Sequence, residues 1–225
     1  MGKRLSAARK EVDITKQYQI AEALDLVKKT ATTKFTGNIE VHARLGIDPK
    51  KSDEVVRGTV NLPFGTGKSK RIAAFVSEGK EKEAKDAGAT LVGGDDLIKR
   101  IKETGKLDFD VAIAEPSLMA KLASIAKILG PKGLMPNPKS GTVTPDVGKA
   151  VKEFATGKLE FKNDESGNIH LILGKTDFDN DKILANFKAF MDALMSAKPA
   201  GMKKEFVQTM TLHATMGPAV KIAFK

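Results

Sequence analysis

Two kinds of apolar pattern follow one another along this chain, and their order limits the fold more than any other feature. In NIEVHARLGID, Ile39, Val41, Ala43, Leu45 and Ile47 alternate with Glu40, His42, Arg44 and Gly46. A period of two buries the first set and leaves the second in solvent, which is the pattern of a half-buried strand. After the turn DPKKSD, VVRGTVNL alternates in the same way. Two such strands so close together predict an antiparallel sheet solvated on one face. The pattern then changes: IAAFV (72–76) is a continuous apolar run, as in a strand covered on both faces, and it opens a strand–helix series repeated three times. The first two helices are expected to stop at Gly88 and Gly105, the third to open at Pro116, and a last one to lie around 146–156. From Lys158 the alternation returns. KLEFKNDESGNIHLIL reads as a hairpin with Leu159 and Phe161 facing Ile169, Leu171 and Leu173. A helix over 179–197 carries Ile183, Phe187, Phe190, Met191 and Leu194 on one stripe, and EFVQTMTLHA and AVKIAF read as strands.

Half-solvated strands thus flank a parallel α/β unit on both sides. The fold class this implies is α/β and α+β together, in two domains. A discontinuous α+β domain with an antiparallel sheet spans 1–65 and 158–225, and a three-layer α/β domain is inserted at 66–157. Glycines stand at both chain crossings, Gly65 and Gly67 at one and Gly157 at the other, so a hinge is expected there.

The net charge of +10 and pI of about 9.6 favour a polyanionic partner, usually nucleic acid. The surplus is shared by the insert and the flanking parts, so charge alone does not locate the contact. Lys3, Arg4, Arg9 and Lys10 form a basic arm ahead of a helix whose apolar positions are Ile20, Leu24 and Val27. No stretch is apolar for long enough to span a membrane, and MGKRLSAARK lacks the apolar core of a secretory signal. With no cysteine there is neither disulfide nor thiolate chemistry, in keeping with a reducing cytoplasm.

Enzyme motifs are hinted at and then fail. FGTGKSKR ends like a phosphate-binding loop, but the first glycine of that motif is replaced by Leu62 and the next residue, Pro63, has no N–H. No G-x-G-x-x-G occurs, and the first strand–helix turn, SEGKEKE, is acidic. His42, His170 and His213 lie far apart without metal-ligand spacing and read as strand-face residues, so no metal or cofactor is expected. Asp95 and Asp96 read as a helix cap and its dipole partner. There is no aromatic RNA-recognition motif. A nucleotide-dependent enzyme or switch built on the insert is the alternative these failures weigh against.

The loop ILGPKGLMPNPKSGTVT (128–144) closely resembles that of bacterial-type ribosomal large-subunit protein one, the mobile-stalk family. IEVHARLGIDP, KKSDEVVRGTVNLP, VGGDDLI, LEFKNDESGNIH and TMGPAVKI fit the same family in the same order. The resemblance implies a non-enzymatic, cytoplasmic ribosomal protein with a Rossmann-like insert. It implies partners too: large-subunit rRNA, tRNA released from the exit site, and the messenger of its own operon, with the protein a monomer off the ribosome. Carried over, the rRNA contacts fall on Lys34, Phe35, Glu40, Lys162, His170, Thr209, Thr215, Met216 and Gly217. Lysines can neutralise phosphates, hydroxyls and backbone can reach 2′-hydroxyls, and Phe35 and Met216 can pack on sugars or bases. Lys132 and Lys139 make the 130–142 loop a candidate for facing RNA or tRNA. Two departures stand out: Thr36-Gly37 where the family carries acidic residues, and His213-Ala214 where it carries small hydroxyl residues.

Overall fold

The computed structural model describes residues 2–51, 54–199, 202 and 205–224. Ser52 and Asp53, within the expected DPKKSD turn, lie outside the described residues. In chain order the first elements are α1 (Lys3–Lys10), α2 (Ile20–Thr30), β1 (Asn38–Leu45) and β2 (Arg57–Asn61). There follow β3 (Ile72–Phe75), α3 (Glu81–Asp86), β4 (Leu91–Gly93), α4 (Asp95–Thr104), β5 (Val111–Ala114), α5 (Met119–Leu122), α6 (Ala126–Leu129) and α7 (Val147–Thr156). The last are β6 (Lys158–Lys162), β7 (Asn168–Lys175), α8 (Asn180–Ser196), β8 (Val207–Ala214) and β9 (Val220–Lys221). They divide into two compact units, Met1–Gly67 with Leu159–Lys225, and Lys68–Lys158.

The first unit is built on a four-stranded sheet ordered β7-β1-β8-β9 and antiparallel at each pairing. The alternation in β1 does what the sequence demands: Ile39, Val41, Ala43 and Leu45 are buried. They share one core with Leu24 and Val27 of α2 and with Ile183, Phe190 and Leu194 of α8. The opposite face carries Glu40, His42 and Arg44, which are half-buried or exposed, and stays polar.

Two strand pairings differ from the expectation. The 158–173 segment is no hairpin, and β1 and β2 do not share a sheet. Instead β2 pairs with β6 in a separate two-stranded sheet, and β7 joins β1. Arg57 and Glu160 form an ion pair across β2 and β6, and Gly58 leaves room for Phe161, whose ring would lie 2.7 Å from any Cβ there. The turn between β6 and β7 sends the chain from one sheet to the other. Asp164 Oδ1 accepts from the backbone of Ser166 (2.9 Å) and Asn168 (2.7 Å), an Asx-type turn closed by a side chain. Alternation fixes which face a residue takes, not which strand it pairs with.

The second unit holds a parallel sheet ordered β4-β3-β5. All four residues of β3 are buried, and their alternation splits them between two cores. Ala73 and Phe75 pack with Ile98 and Ile101 of α4 and with Leu118, Leu122, Ile125 and Leu129. Ile72 and Ala74 pack with Ala84 of α3 and with Val151 and Phe154 of α7. The single helix expected after Pro116 is broken into α5, α6 and two 3₁₀ turns. Ser124 Oγ bonds back to the Lys121 carbonyl (2.7 Å), a local competitor for the helical ladder. The first turn of α4 carries Asp95 and Asp96 as dipole partners, but Gly94 is the capping position and neither carboxylate caps. Asp95 pairs with Lys121 instead (2.7 Å).

Parallel sheets bind ligands beyond the carboxyl ends of their strands. Here Glu115 occupies that end. It accepts from Ser77 Oγ (2.6 Å), Ser77 N (3.1 Å) and Lys80 Nζ (3.0 Å). The Ser77 hydroxyl and then Lys80 hold its carboxyl down to about 2, so it is fully charged at neutral pH. A carboxylate fixed there repels a phosphate. FGTGKSKR is no phosphate loop either, because it runs into β3 and no helix N-terminus follows it.

Candidate nucleic-acid interface

The polar face of the four-stranded sheet follows from register. On β1, Glu40 lies opposite His213 of β8, His42 opposite His170 of β7 and Thr211 of β8, and Arg44 opposite Asn168 and Thr209. Of the residues carried over by resemblance, Glu40, His170 and Thr209 therefore share this face. Arg44 hydrogen-bonds the Ser166 carbonyl and reaches Asn168 Oδ1 (3.3 Å), which fixes its cation beside β7.

One end of the sheet gathers Lys34, Phe35, Thr215, Met216 and Gly217. The turn after β8 is clamped to the start of β1: Asn38 N donates to Thr215 Oγ1 (2.9 Å), and Thr215 N donates to Asn38 O (2.9 Å). The approach is tight at Gly37, where a Cβ would come 3.1 Å from Thr215 Cβ and would push it back by a few tenths of an ångström. One of the two departures from the resembling family thus has a packing reason. Gly217 N closes the turn on Ala214 O (2.8 Å). Between them Met216 is the one non-glycine with positive φ (64°) among the described residues. Its side chain is 64% exposed, and Phe35 is 57% exposed. Two large apolar side chains held in water at one edge, one on a strained backbone, are not core filler. Arg4 braces the same edge, reaching Met216 O (2.9 Å) and Thr32 Oγ1 (3.3 Å). The basic arm gave no specific sign of this contact, which spans nearly the whole chain.

Lys162 is not on this face. It is exposed on β6, in the two-stranded sheet, one residue before the turn that sets Asp164 against His170. Gly65 and Gly67 adopt positive φ (58° and 73°), as does Gly157 (140°). In the second unit Lys132 and Lys139 are exposed on a loop stiffened from within. Asn137 Oδ1 accepts from Lys139 N (2.8 Å), and Thr142 Oγ1 accepts from Asn137 N (2.8 Å). Ser140 and Thr142 are buried beneath it.

The three histidines also meet on the polar face. His42 lies between the others, its Nδ1 2.7 Å from His170 Nδ1 and its Nε2 3.3 Å from His213 Nδ1. Burial, then the neighbouring His213 and His170, push His42 down to about 4, so it is neutral at pH 7. Strand phase alone puts each histidine outward, whereas only the pairing register brings them together.

Comparison with known proteins gives a consistent picture. The model of the ribosomal protein L1p/L10e family matches residues 27–218. The "Large ribosomal subunit protein uL1" of Mycoplasma capricolum is 50% identical over 224 residues, covering 100% of this chain and 99% of that protein. Proteins with the same name from Solidesulfovibrio magneticus (50% identical, 98% and 94% covered) and Thermosipho africanus (48%, 98% and 95%) are similarly close.

Proposed function

The chain belongs to the ribosomal protein L1p/L10e family, a structural and non-enzymatic constituent of the large ribosomal subunit, cytoplasmic in bacteria, and from that premise we propose that it binds large-subunit rRNA through its discontinuous terminal domain. The reading assigns the contact to the sheet edge of Lys34, Phe35, Thr215, Met216 and Gly217, continued by Glu40, His170 and Thr209. Lys162 extends it from the neighbouring sheet. The observation that carries it is Met216, exposed on a left-handed backbone beside exposed Phe35. Strain of that kind persists where surrounding contacts enforce it, and a ligand is what gives it a use. Glu40, out of place against phosphate, can accept from a ribose hydroxyl or a guanine edge.

In this reading the Rossmann-like insert swings on the glycines Gly65, Gly67 and Gly157 and serves the passage of deacylated tRNA out of the exit site. The stiff loop bearing Lys132 and Lys139 faces RNA or tRNA. Off the ribosome the protein is a monomer that represses translation of its own operon messenger by binding it in place of rRNA.

The test is binding of the whole chain to a large-subunit stalk RNA, beside an unrelated structured RNA of equal length, across a salt series. Tight binding to the stalk RNA with a negative log–log salt slope is expected, together with a preference of at least about a thousandfold over the unrelated RNA. Equal affinity for both RNAs would leave only generic basicity and refute the reading.

A further inference from the structure

The chain has three histidines in all, and the fold gathers every one of them into a single cluster on the polar sheet face. We propose that Glu40, His42 and His213 form a binding site for a divalent transition-metal ion of the zinc class, with His170 and Asp164 orienting it from behind.

The ligand atoms of Glu40, His42 and His213 all lie within 4.8 Å of one another. His42 Nε2 stands 3.3 Å from His213 Nδ1 and 3.4 Å from His213 Nε2. Two nitrogens bound to one tetrahedral zinc at ~2.05 Å are themselves ~3.3 Å apart, so His42 and His213 are already at ligand spacing. The backbone register makes this no accident of rotamers, since Glu40 is directly opposite His213 and His42 follows Glu40 on the same face.

Behind His42 runs a polar chain of His170 and Asp164. Asp164 Oδ2 lies 3.3 Å from His170 Nε2. Burial works to raise Asp164, but the hydrogen bonds from Asn168, His170 and Ser166 outweigh it and hold the carboxyl at about 2. Asp164 Oδ2 is placed to accept from His170 Nε2–H, and the tautomer with that proton leaves His170 Nδ1 as an acceptor toward His42. His42 Nδ1 stands 2.7 Å from that atom, and the tautomer of His42 with its proton on Nδ1 donates to it. In that tautomer the lone pair lies on His42 Nε2, the atom that stands at ligand spacing from His213. A histidine ligand whose other nitrogen donates into a histidine–carboxylate chain has the second shell that metal sites use to orient imidazole and raise its basicity. The three ligands are half-buried, so an ion can enter from solvent and water can complete the coordination. Arg44, two residues beyond His42 on the same face, is turned to Ser166 and Asn168. The site stands on its own, whether or not this face also carries RNA. It could not be read from the sequence, because its ligands come from strands about 170 residues apart.

The experiment is calorimetric titration of the untagged full chain with Zn²⁺ at neutral pH, with circular dichroism confirming that each variant is folded. One equivalent is expected to bind, at least tenfold more weakly in His213→Ser and in Glu40→Gln. His170→Gln leaves the ligands in place but removes the orienting chain, and should weaken binding about 10- to 100-fold. Because there are only three histidines, nitrogen-15 spectra of their rings follow the site directly, and Zn²⁺ should shift the His42 and His213 signals together. Binding unchanged by His213→Ser, or no histidine shift at saturating Zn²⁺, would overturn the proposal.

Discussion

Replacing Met216 by glycine is expected to move stability and RNA affinity in opposite directions. Met216 has φ 64°, a conformation that costs an ordinary residue about 1–2 kcal/mol. Glycine removes that cost but adds about 0.5–1 kcal/mol of chain entropy to the unfolded state. The variant should therefore melt at or slightly above the wild-type temperature, gaining up to about 1.5 kcal/mol. Little packing is lost, because the side chain is already 64% exposed. RNA binding should fall, since Met216 would no longer pack its apolar side chain on a sugar or base, and a neighbouring aromatic such as Phe35 stacked on a base contributes about 1–3 kcal/mol. Combined with Phe35→Ala, the loss should reach about a hundredfold and persist at high salt, because neither group is ionic. Lys34→Ala should instead lower the salt slope by about one phosphate contact. Thermal melts and filter binding on the same preparations check both signs. A glycine variant that is clearly less stable and binds RNA normally would assign Met216 to the fold and not to the interface.

The second large effect belongs to Asn186, which is 0% exposed on α8. Its Oδ1 accepts from Phe64 N (3.1 Å), and its Nδ2 donates to Gly65 O (2.9 Å) and Leu173 O (2.7 Å). One amide thus satisfies three backbone groups and ties the 64–65 segment to β7 and α8. Leucine fills a similar volume but leaves those groups without partners, each at a desolvation cost of about 1–3 kcal/mol. Asn186→Leu should destabilise the chain by about 3–5 kcal/mol in urea unfolding, near the upper end for a point substitution. A loss below about 1 kcal/mol would mean that water reaches the three groups and that the segment is not anchored there. The segment precedes Gly67, whose Cβ position is closed by the Phe178 ring at 3.0 Å. FGTGKSKR therefore carries its glycines for backbone shape, not for phosphate.

Much of this could be read from the residues because burial is periodic. The β1 alternation, the all-apolar β3 and the α8 stripe each state which atoms avoid water, and the fold obeys them. Partner choice could not be read, since β6 and β7 have the right phases for a hairpin yet join different sheets, redirected by one side-chain turn at Asp164. The same limit hid the histidine cluster: His42, His170 and His213 each face outward by phase, and only register makes them neighbours. The left-handed Met216 gave no signal, because TMGP offers glycine one position later as the expected carrier of positive φ. Among the carried-over residues, Phe35 and Thr215 stand at the same end of the paired strands β1 and β8, while Lys162 belongs to a different sheet.

The most direct measurement is amide hydrogen exchange of the full chain, free and bound to the stalk RNA. Binding through the terminal domain should slow exchange at residues 34–36 and at Met216, which are exposed in the free protein. β3 and β5, already buried, should be unchanged. Protection confined to the second unit, around Lys132 and Lys139, with none at Phe35 or Met216, would contradict the assignment of rRNA recognition to the discontinuous domain.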